Sequence, residues 1–174
     1  MSKLILIKPT MAYEEQIWSY RQAFLERGDS LDGTSRLKEA ESVTWWLADV
    51  EQNRYEETVI EGFVPATSYL AVRASDNKVV GMIQVRHRLN DFLLNFGGHI
   101  GYSVHPNERK KGYATQMLRL TLPECRRELG LEKVLITCDK ANVGSRKAIV
   151  TSGGILENEY EREGKTIQRY WVNV

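Results

Sequence analysis

The sequence predicts an α/β fold in three layers, a mixed β-sheet of about seven strands flanked by helices on both faces. Three observations predict it. Apolar residues alternate between strand-like and helix-like spacing in the order β-α-α-β-β-β-α-β-α-β-β. A strand ending at Val104 runs through a basic, glycine-containing turn straight into a helical pattern. The 174 residues are 42% hydrophobic, enough for one full core, so a single domain spanning 1–174 is expected.

The elements follow in order. Leu4 to Lys8 reads as the first strand, ended by Pro9, and Thr10 is placed to cap a helix from about Met11 to Arg27 that Gly28 stops. The polar stretch Asp29 to Glu39 reads as a mobile surface loop. A second helix then runs from Ser42 or Val43 to Tyr55 and carries Trp45 and Trp46, of which at most one can point inward. Ala66 to Ala74 and Val79 to Arg88 form a hairpin across Ser75-Asp76-Asn77-Lys78. Leu89 to Gly98 is a connection with apolar content, and His99 to Val104 is the central strand. The next helix, about Lys111 to Leu129, contains Pro123, which removes one backbone hydrogen bond and predicts a kink or a widened turn. Lys133 to Cys138 is a strand rich in Val, Leu, Ile and Thr, a short helix follows Asn142, and Ile155 to Arg162 with Thr166 to Val172 closes the chain as a hairpin.

The segment from Val104 to Ala114 reads Val-His-Pro-Asn-Glu-Arg-Lys-Lys-Gly-Tyr-Ala. A helix start leaves backbone N–H groups without intrahelical partners and carries the positive end of the macrodipole, so this turn is an anion cradle. Arg109, Lys110 and Lys111 add positive charge. Gly112 lets the backbone approach a bulky pyrophosphate, and Ala114 keeps the first helical turn slim. The turn is not a Walker A loop, because no Gly-Lys-Ser or Gly-Lys-Thr closes it, nor is it a dinucleotide fingerprint. A second element lies downstream in Asp139-Lys140-Ala141-Asn142-Val143-Gly144-Ser145, followed by Gly153.

Arg109, Gly112 and Ala114 resemble the acyl-CoA-binding signature of the GNAT superfamily of N-acetyltransferases. Asn142, Ser145 and the later glycine fall at the spacing of that family's second element, in which an Asn opens a short helix beside the pantetheine arm. The resemblance covers roughly residues 66 to 174 well and the N-terminal third by general layout. It implies a GNAT-like three-layer fold and transfer of an acetyl group from acetyl-CoA, used as cosubstrate, to an amine by direct attack on the thioester. It also implies that backbone N–H groups of Ile100, Tyr102 or Val104 meet the acyl carbonyl and pantetheine, provided this strand splays from the one beginning at Lys133. Tyr102, Val104, Arg109, Lys110, Lys111, Gly112, Tyr113, Ala114, Asn142 and Ser145 are thus the expected cofactor-binding residues. Many family members place a Tyr in the short helix to protonate the departing thiolate; here the register holds Ile149, and either Tyr113, Tyr160 or Ser145 substitutes or the thiolate leaves unassisted.

A protonated alkylamine must lose a proton before or during attack, and His99, His105, Glu14, Glu15 and Asp139 are the candidate bases. His99, Asp139 and Tyr113 are the catalytic assignments, with Asp139 weighed against a turn-capping role and Asn142 against a helix cap. Strand alternation sets His99, Gly101, Ser103 and His105 against Ile100, Tyr102 and Val104, so only one set faces the pocket.

Composition excludes other classes. With 24 basic and 23 acidic residues the net charge is +1, which gives no general attraction to nucleic acid or anionic membrane. Apolar runs fall short of the ~20 residues of a membrane span, and the first residues are not a secretory signal. Cys125 and Cys138 lack Cys-x-x-Cys spacing, no His or Cys cluster has metal-ligand spacing, and a cytoplasmic location with reduced thiols is expected. The partner is a small-molecule or peptide amine, and the final hairpin leaves an edge for a homodimer. The alternative is a non-catalytic acyl-CoA-binding regulatory module.

Overall fold

The computed structural model describes residues 2–174. Strands β1 (Leu4–Ile7), β2 (Ala66–Arg73), β3 (Lys78–Arg86) and β4 (Ile100–Val104) form one antiparallel sheet in that order. β5 (Lys133–Asp139), β6 (Ile155–Arg162) and β7 (Lys165–Asn173) form a second antiparallel sheet, ordered β5-β7-β6. All seven expected strands are present, but the layer is divided between β4 and β5. The two sheets meet where the His99 N–H donates to the Leu135 carbonyl at 2.7 Å and the Leu135 N–H donates to His99 Nδ1 at 2.9 Å. Beyond that seam β4 and β5 share no ladder pairs among the described residues, and the strands splay.

Helices cover both faces because both faces are apolar. On one, α3 (Tyr113–Leu129) and α4 (Val143–Thr151) pack through Met117, Leu118, Leu122, Cys125, Ala148 and Ile149 onto Ile83, Ile100, Ile136 and Tyr170. On the other, α1 (Glu14–Arg27) and α2 (Val43–Gln52) pack through Ile17, Phe24, Trp46 and Val50 onto Leu70, Val72 and Met82. Complete burial of a side chain such as Leu118 or Ile17 is worth ~1.5–3 kcal/mol. The division of the core sets the site: α3 and α4 occupy one face of the split, and the opposite face is left to α1, α2 and the loops.

Several local expectations shift. Met11–Tyr13 is a single 3₁₀ turn ahead of α1, and the Thr10 side chain makes no cap, its place taken by backbone bonding of Tyr13 N–H to the Thr10 carbonyl. Ser42 does cap α2, accepting from the Trp45 N–H at 3.1 Å, and the helix ends at Gln52 rather than Tyr55. Trp46 is buried and donates to the Thr34 carbonyl, whereas Trp45 lies outward beneath the Arg36 guanidinium. The polar stretch after α1 is not a free surface loop. Gly33, Thr34, Leu37 and Ala40 are buried, and Gly33 lies so close to the Gly101 backbone that a Cβ would overlap it. The left-handed φ of +72° at Gly33 is open to glycine for the same reason of a missing Cβ. The connection before β4 holds one π turn, Leu93–Gly97, and α3 runs through Pro123 to Leu129 as one helix.

Candidate active site

The cradle forms because the chain enters α3 through a left-handed glycine. Gly112 has φ 81°, and Lys110, at φ 63°, is also left-handed. No side chain caps α3, so the N–H groups of Tyr113, Ala114 and Thr115, ahead of the first intrahelical bond from Gln116 to the Gly112 carbonyl, have no side-chain acceptor. The three basic residues differ in their engagements. Arg109 donates from Nε to the Val104 carbonyl at 3.3 Å, pairs with Asp29 at 3.0 Å and lies over the Phe24 ring. Lys111 turns back to Glu108 at 2.7 Å. Lys110 is exposed and makes no ion pair among the described residues.

Glu108 gives the turn its shape. Its carboxylate is buried, yet it accepts from Arg73 at 2.8 Å, Lys78 at 3.0 Å and Lys111. The bond from Lys111, with those from Lys78 and Arg73, overrides desolvation and holds its pKa at about 2. The β2–β3 hairpin and the cradle are tied together through one carboxylate.

Strand β4 presents its free backbone to the split. The His105 N–H donates to the Val80 carbonyl at 2.8 Å and the Arg86 N–H to the His99 carbonyl at 2.7 Å. Antiparallel alternation then directs Gly101 and Ser103 at β3, and turns the N–H groups of Tyr102 and Val104 toward the opening beside β5. The side chains divide the other way. Ile100, Tyr102 and Val104 pack with the α3 and α4 face, while Ser103 bonds the buried Tyr20 hydroxyl at 2.9 Å and His105 stands edge-on to Tyr20.

At the far side of the split, Asn142 Oδ1 accepts from the Ser145 N–H at 3.1 Å and caps α4; its amide NH2 takes no part in that cap. The Ser145 hydroxyl lies 2.5 Å from the Tyr102 hydroxyl, bridging α4 and β4. Burial pushes the Tyr102 phenol upward and the Cys138 thiol, beside Ser145, up to about 11. Ile149 is fully buried in the core, so the family's tyrosine position holds a packing residue.

The catalytic assignments fare differently. Tyr113 is buried against the sheet, and its hydroxyl accepts from Arg73 at 3.3 Å, beside the Glu108 carboxylate that Arg73 also holds. His99 is a seam residue. Its Nδ1 already holds the Leu135 N–H, and desolvation followed by the Arg86 charge lowers its pKa to about 4, so the ring is neutral and its one lone pair is engaged. Asp139 Oδ1 accepts from the Ala141 N–H at 2.9 Å, the turn-capping role. His105 Nδ1 likewise accepts from the Asn107 N–H at 3.1 Å, and Glu14 and Glu15 lie in the first turn of α1. The Tyr102–Ser145 and Arg109–Asp29 contacts had no signal in the sequence, since they join elements 43 and 80 residues apart. Among the described residues no group of three or more His, Cys, Asp or Glu could hold a metal ion, and no helix is long and apolar enough to cross a membrane.

Comparison with known proteins bears on this arrangement. A GNAT acetyltransferase domain family matches residues 15–154. No curated protein matches the sequence. Among solved structures, Mycobacterium smegmatis RimJ in complex with CoA-disulfide superposes with a TM-score of 0.68 at 16% identity, covering 98% of this chain and 82% of that one. A Salmonella typhimurium acetyl transferase that modifies the N-terminal serine of a ribosomal subunit protein gives a TM-score of 0.66 at 14% identity, covering 100% and 96%. A chimeric spermidine N-acetyltransferase built in part from Vibrio cholerae gives 0.65 at 14%, covering 99% and 96%. The family match spans most of the chain and takes in both the uncapped start of α3 and the split beside β4, and the chain belongs to the GNAT family of acetyltransferases, whose acetyl donor is acetyl-CoA.

Proposed function

We propose that the protein transfers the acetyl group of acetyl-CoA to a primary amine of a small molecule or peptide, with the diphosphate at the α3 start, the pantetheine between β4 and β5, and the amine arriving from the face of α1 and α2. The single observation that supports this best is β4 itself. It leads, through the turn of residues 105–112, to an uncapped helix start, and it turns the N–H groups of Tyr102 and Val104 toward the split beside β5. The fit extends to both ends of acetyl-CoA. Outward N–H groups and Lys110 suit phosphates, and unpaired strand N–H groups suit amide and thioester carbonyls.

Since α3 and α4 fill one face, the attacking amine has the other. The amine attacks as the neutral form, its ammonium proton having passed to solvent water; the C–N bond forms as the C–S bond breaks, nitrogen gives up a second proton, and sulfur gains one to leave as thiol. Tyr102 N–H polarises the carbonyl, and positioning supplies the main acceleration. The Ser145 hydroxyl, relayed by Tyr102, returns a proton to sulfur in place of the absent tyrosine. His99 serves as a positioning residue, and Asp139 shapes the loop that delivers Asn142. The relatives that act on an N-terminal serine and on spermidine both take amines, which supports an amine acceptor here. Near-neutral charge favours a small or peptide partner over nucleic acid or membrane. The two free thiols suit a cytoplasmic protein, and the β6 edge is where a homodimer would form.

Calorimetric titration with acetyl-CoA, using ATP as the control anion, tests the reading without knowledge of the acceptor. Micromolar stoichiometric binding of acetyl-CoA alone is expected. Folded protein that ignores acetyl-CoA would end it. Thiol release on addition of amines separates the enzyme from the regulatory-module alternative, which predicts binding without turnover.

A further inference from the structure

Arg86 carries a guanidinium whose counter-charge is missing. It ends β3 on the α1–α2 face, partly buried, at the point where β4 leaves the seam. Its Nε donates to Gln84 Oε1 at 3.2 Å and its Nη1 to the Gly97 carbonyl at 3.2 Å. Its Nη2 makes no hydrogen bond among the described residues, and it lies 3.0 Å from where a Cβ of Gly101 would sit. Two other guanidiniums that are shielded from solvent are neutralised: Arg73 pairs with Asp76 and Glu108, and Arg169 with Glu157. No carboxylate among the described residues lies within ion-pair reach of Arg86. Burial pulls its pKa down to about 10, in keeping with a charge that lacks a partner.

Position gives this cation a use. Gly101 precedes Tyr102, whose N–H turns away from β3 and is assigned above to the thioester carbonyl, so the free Nη2 sits one residue from that N–H on the face proposed for the amine. One carboxylate sends its field there. Asp32 acts electrostatically on Arg86, Tyr102 and Tyr20, and it precedes Gly33, which packs on the Gly101 backbone. An exposed anion and a partly buried cation thus flank the Gly101–Tyr102 step without neutralising each other.

We infer that the acceptor is a free α-amino acid, its carboxylate taken by Arg86 and its ammonium group drawn toward Asp32. This rests on the acetyl-transfer reading above. With Nε held by Gln84 and Nη1 by the Gly97 and Gly98 carbonyls, the free Nη2 is left to donate charge-assisted hydrogen bonds to a carboxylate, and that contact supplies the missing counter-charge. A peptide N-terminus offers a neutral carbonyl at that place, and a polyamine offers a second cation that Arg86 repels.

Matched acceptors test it on the intact protein. Initial rates of thiol release are measured with saturating acetyl-CoA for each proteinogenic amino acid and its own carboxamide, and for spermidine and serine-initiated peptides. The amino acids used are expected to exceed their amides at least ~10-fold in kcat/KM, the size of one charged hydrogen-bond partner left unpaired. Arg86→Met should remove that ratio by raising KM for amino acids alone, Arg86→Lys should keep part of it, and acetyl-CoA affinity should hold in both. Should Arg86→Met fail to fold, the wild-type ratio and Arg86→Lys carry the test. Amides, spermidine or peptides used as well as free amino acids, or no amino acid used at all, would overturn the inference while acetyl-CoA binding keeps the transfer reading. Loss of acetyl-CoA binding in the wild-type protein would instead remove the transfer reading itself.

Discussion

The N-termini of α3 and α4 lie on the same face of the split, and they solve the same problem in opposite ways. Every helix start has N–H groups to satisfy. At α4 the chain supplies its own acceptor, Asn142 Oδ1. At α3 it supplies Gly112, which has no side chain to offer, and surrounds it with cations already held in place by Glu108 and Asp29. The α4 terminus has a side-chain acceptor from the protein; the α3 terminus has none. In the proposed reading that difference assigns the phosphates to α3, while α4 holds Ser145 against Tyr102.

Gly112→Val attacks the contrast most directly. It fills the approach and forces a β-branched residue to a left-handed φ of 81°. Acetyl-CoA affinity should fall at least ~100-fold, equivalent to about 2.8 kcal/mol, on calorimetric titration. Backbone strain should add ~1–2 kcal/mol of lost stability in a denaturant melt. Gly112→Asn, which tolerates that φ, separates strain from filled space. Unchanged affinity in Gly112→Val would end the cradle assignment.

Glu108→Gln comes next. It leaves three cations around a neutral amide and should cost about 2 kcal/mol, discounted for the exposure of Lys78 and Lys111. The wild-type carboxylate titrates near pH 2 when folded and near its ordinary 4.5 when unfolded. Its contribution is therefore whole above pH 4.5 and is lost as pH falls from there to 2. Thermal melts across that range should slope less steeply in Glu108→Gln; parallel slopes would mean the three contacts do not persist in solution.

Lys110→Glu reverses the exposed cation that makes no ion pair among the described residues, and should weaken acetyl-CoA binding about fivefold with a reduced dependence on salt. The smallest effect on the cofactor is expected at α4. Asn142→Ala should lower stability by ~1 kcal/mol through the lost cap, while acetyl-CoA affinity stays within about twofold. A large loss of affinity there would show that the Asn142 amide touches the cofactor and that the two termini are less distinct than their geometry.

Much of this was legible before any fold was in hand. Local chemistry carried the signal: Gly112 and Arg109 in a strand-to-helix turn, Asn142 and Ser145 at cap spacing, and strand periodicity from Ala66 to Val104. Orientation was not legible. Tyr113 adjoins the cradle in sequence, and position N1 of α3 turns its ring into the sheet. The stretch after α1 looked solvated because its composition is polar, yet its glycine and threonine are drawn in by contact with Gly101 and Trp46.

By itself, the sequence determined the order of elements and the family, because turns, caps and apolar periods are written in residues close along the chain. Only the tertiary structure decided which side chains share the split. The seam between His99 and Leu135, the Tyr102–Ser145 bridge and the unmatched charge of Arg86 depend on how two separate sheets meet, and contacts across 36 or 43 residues leave no local pattern to read.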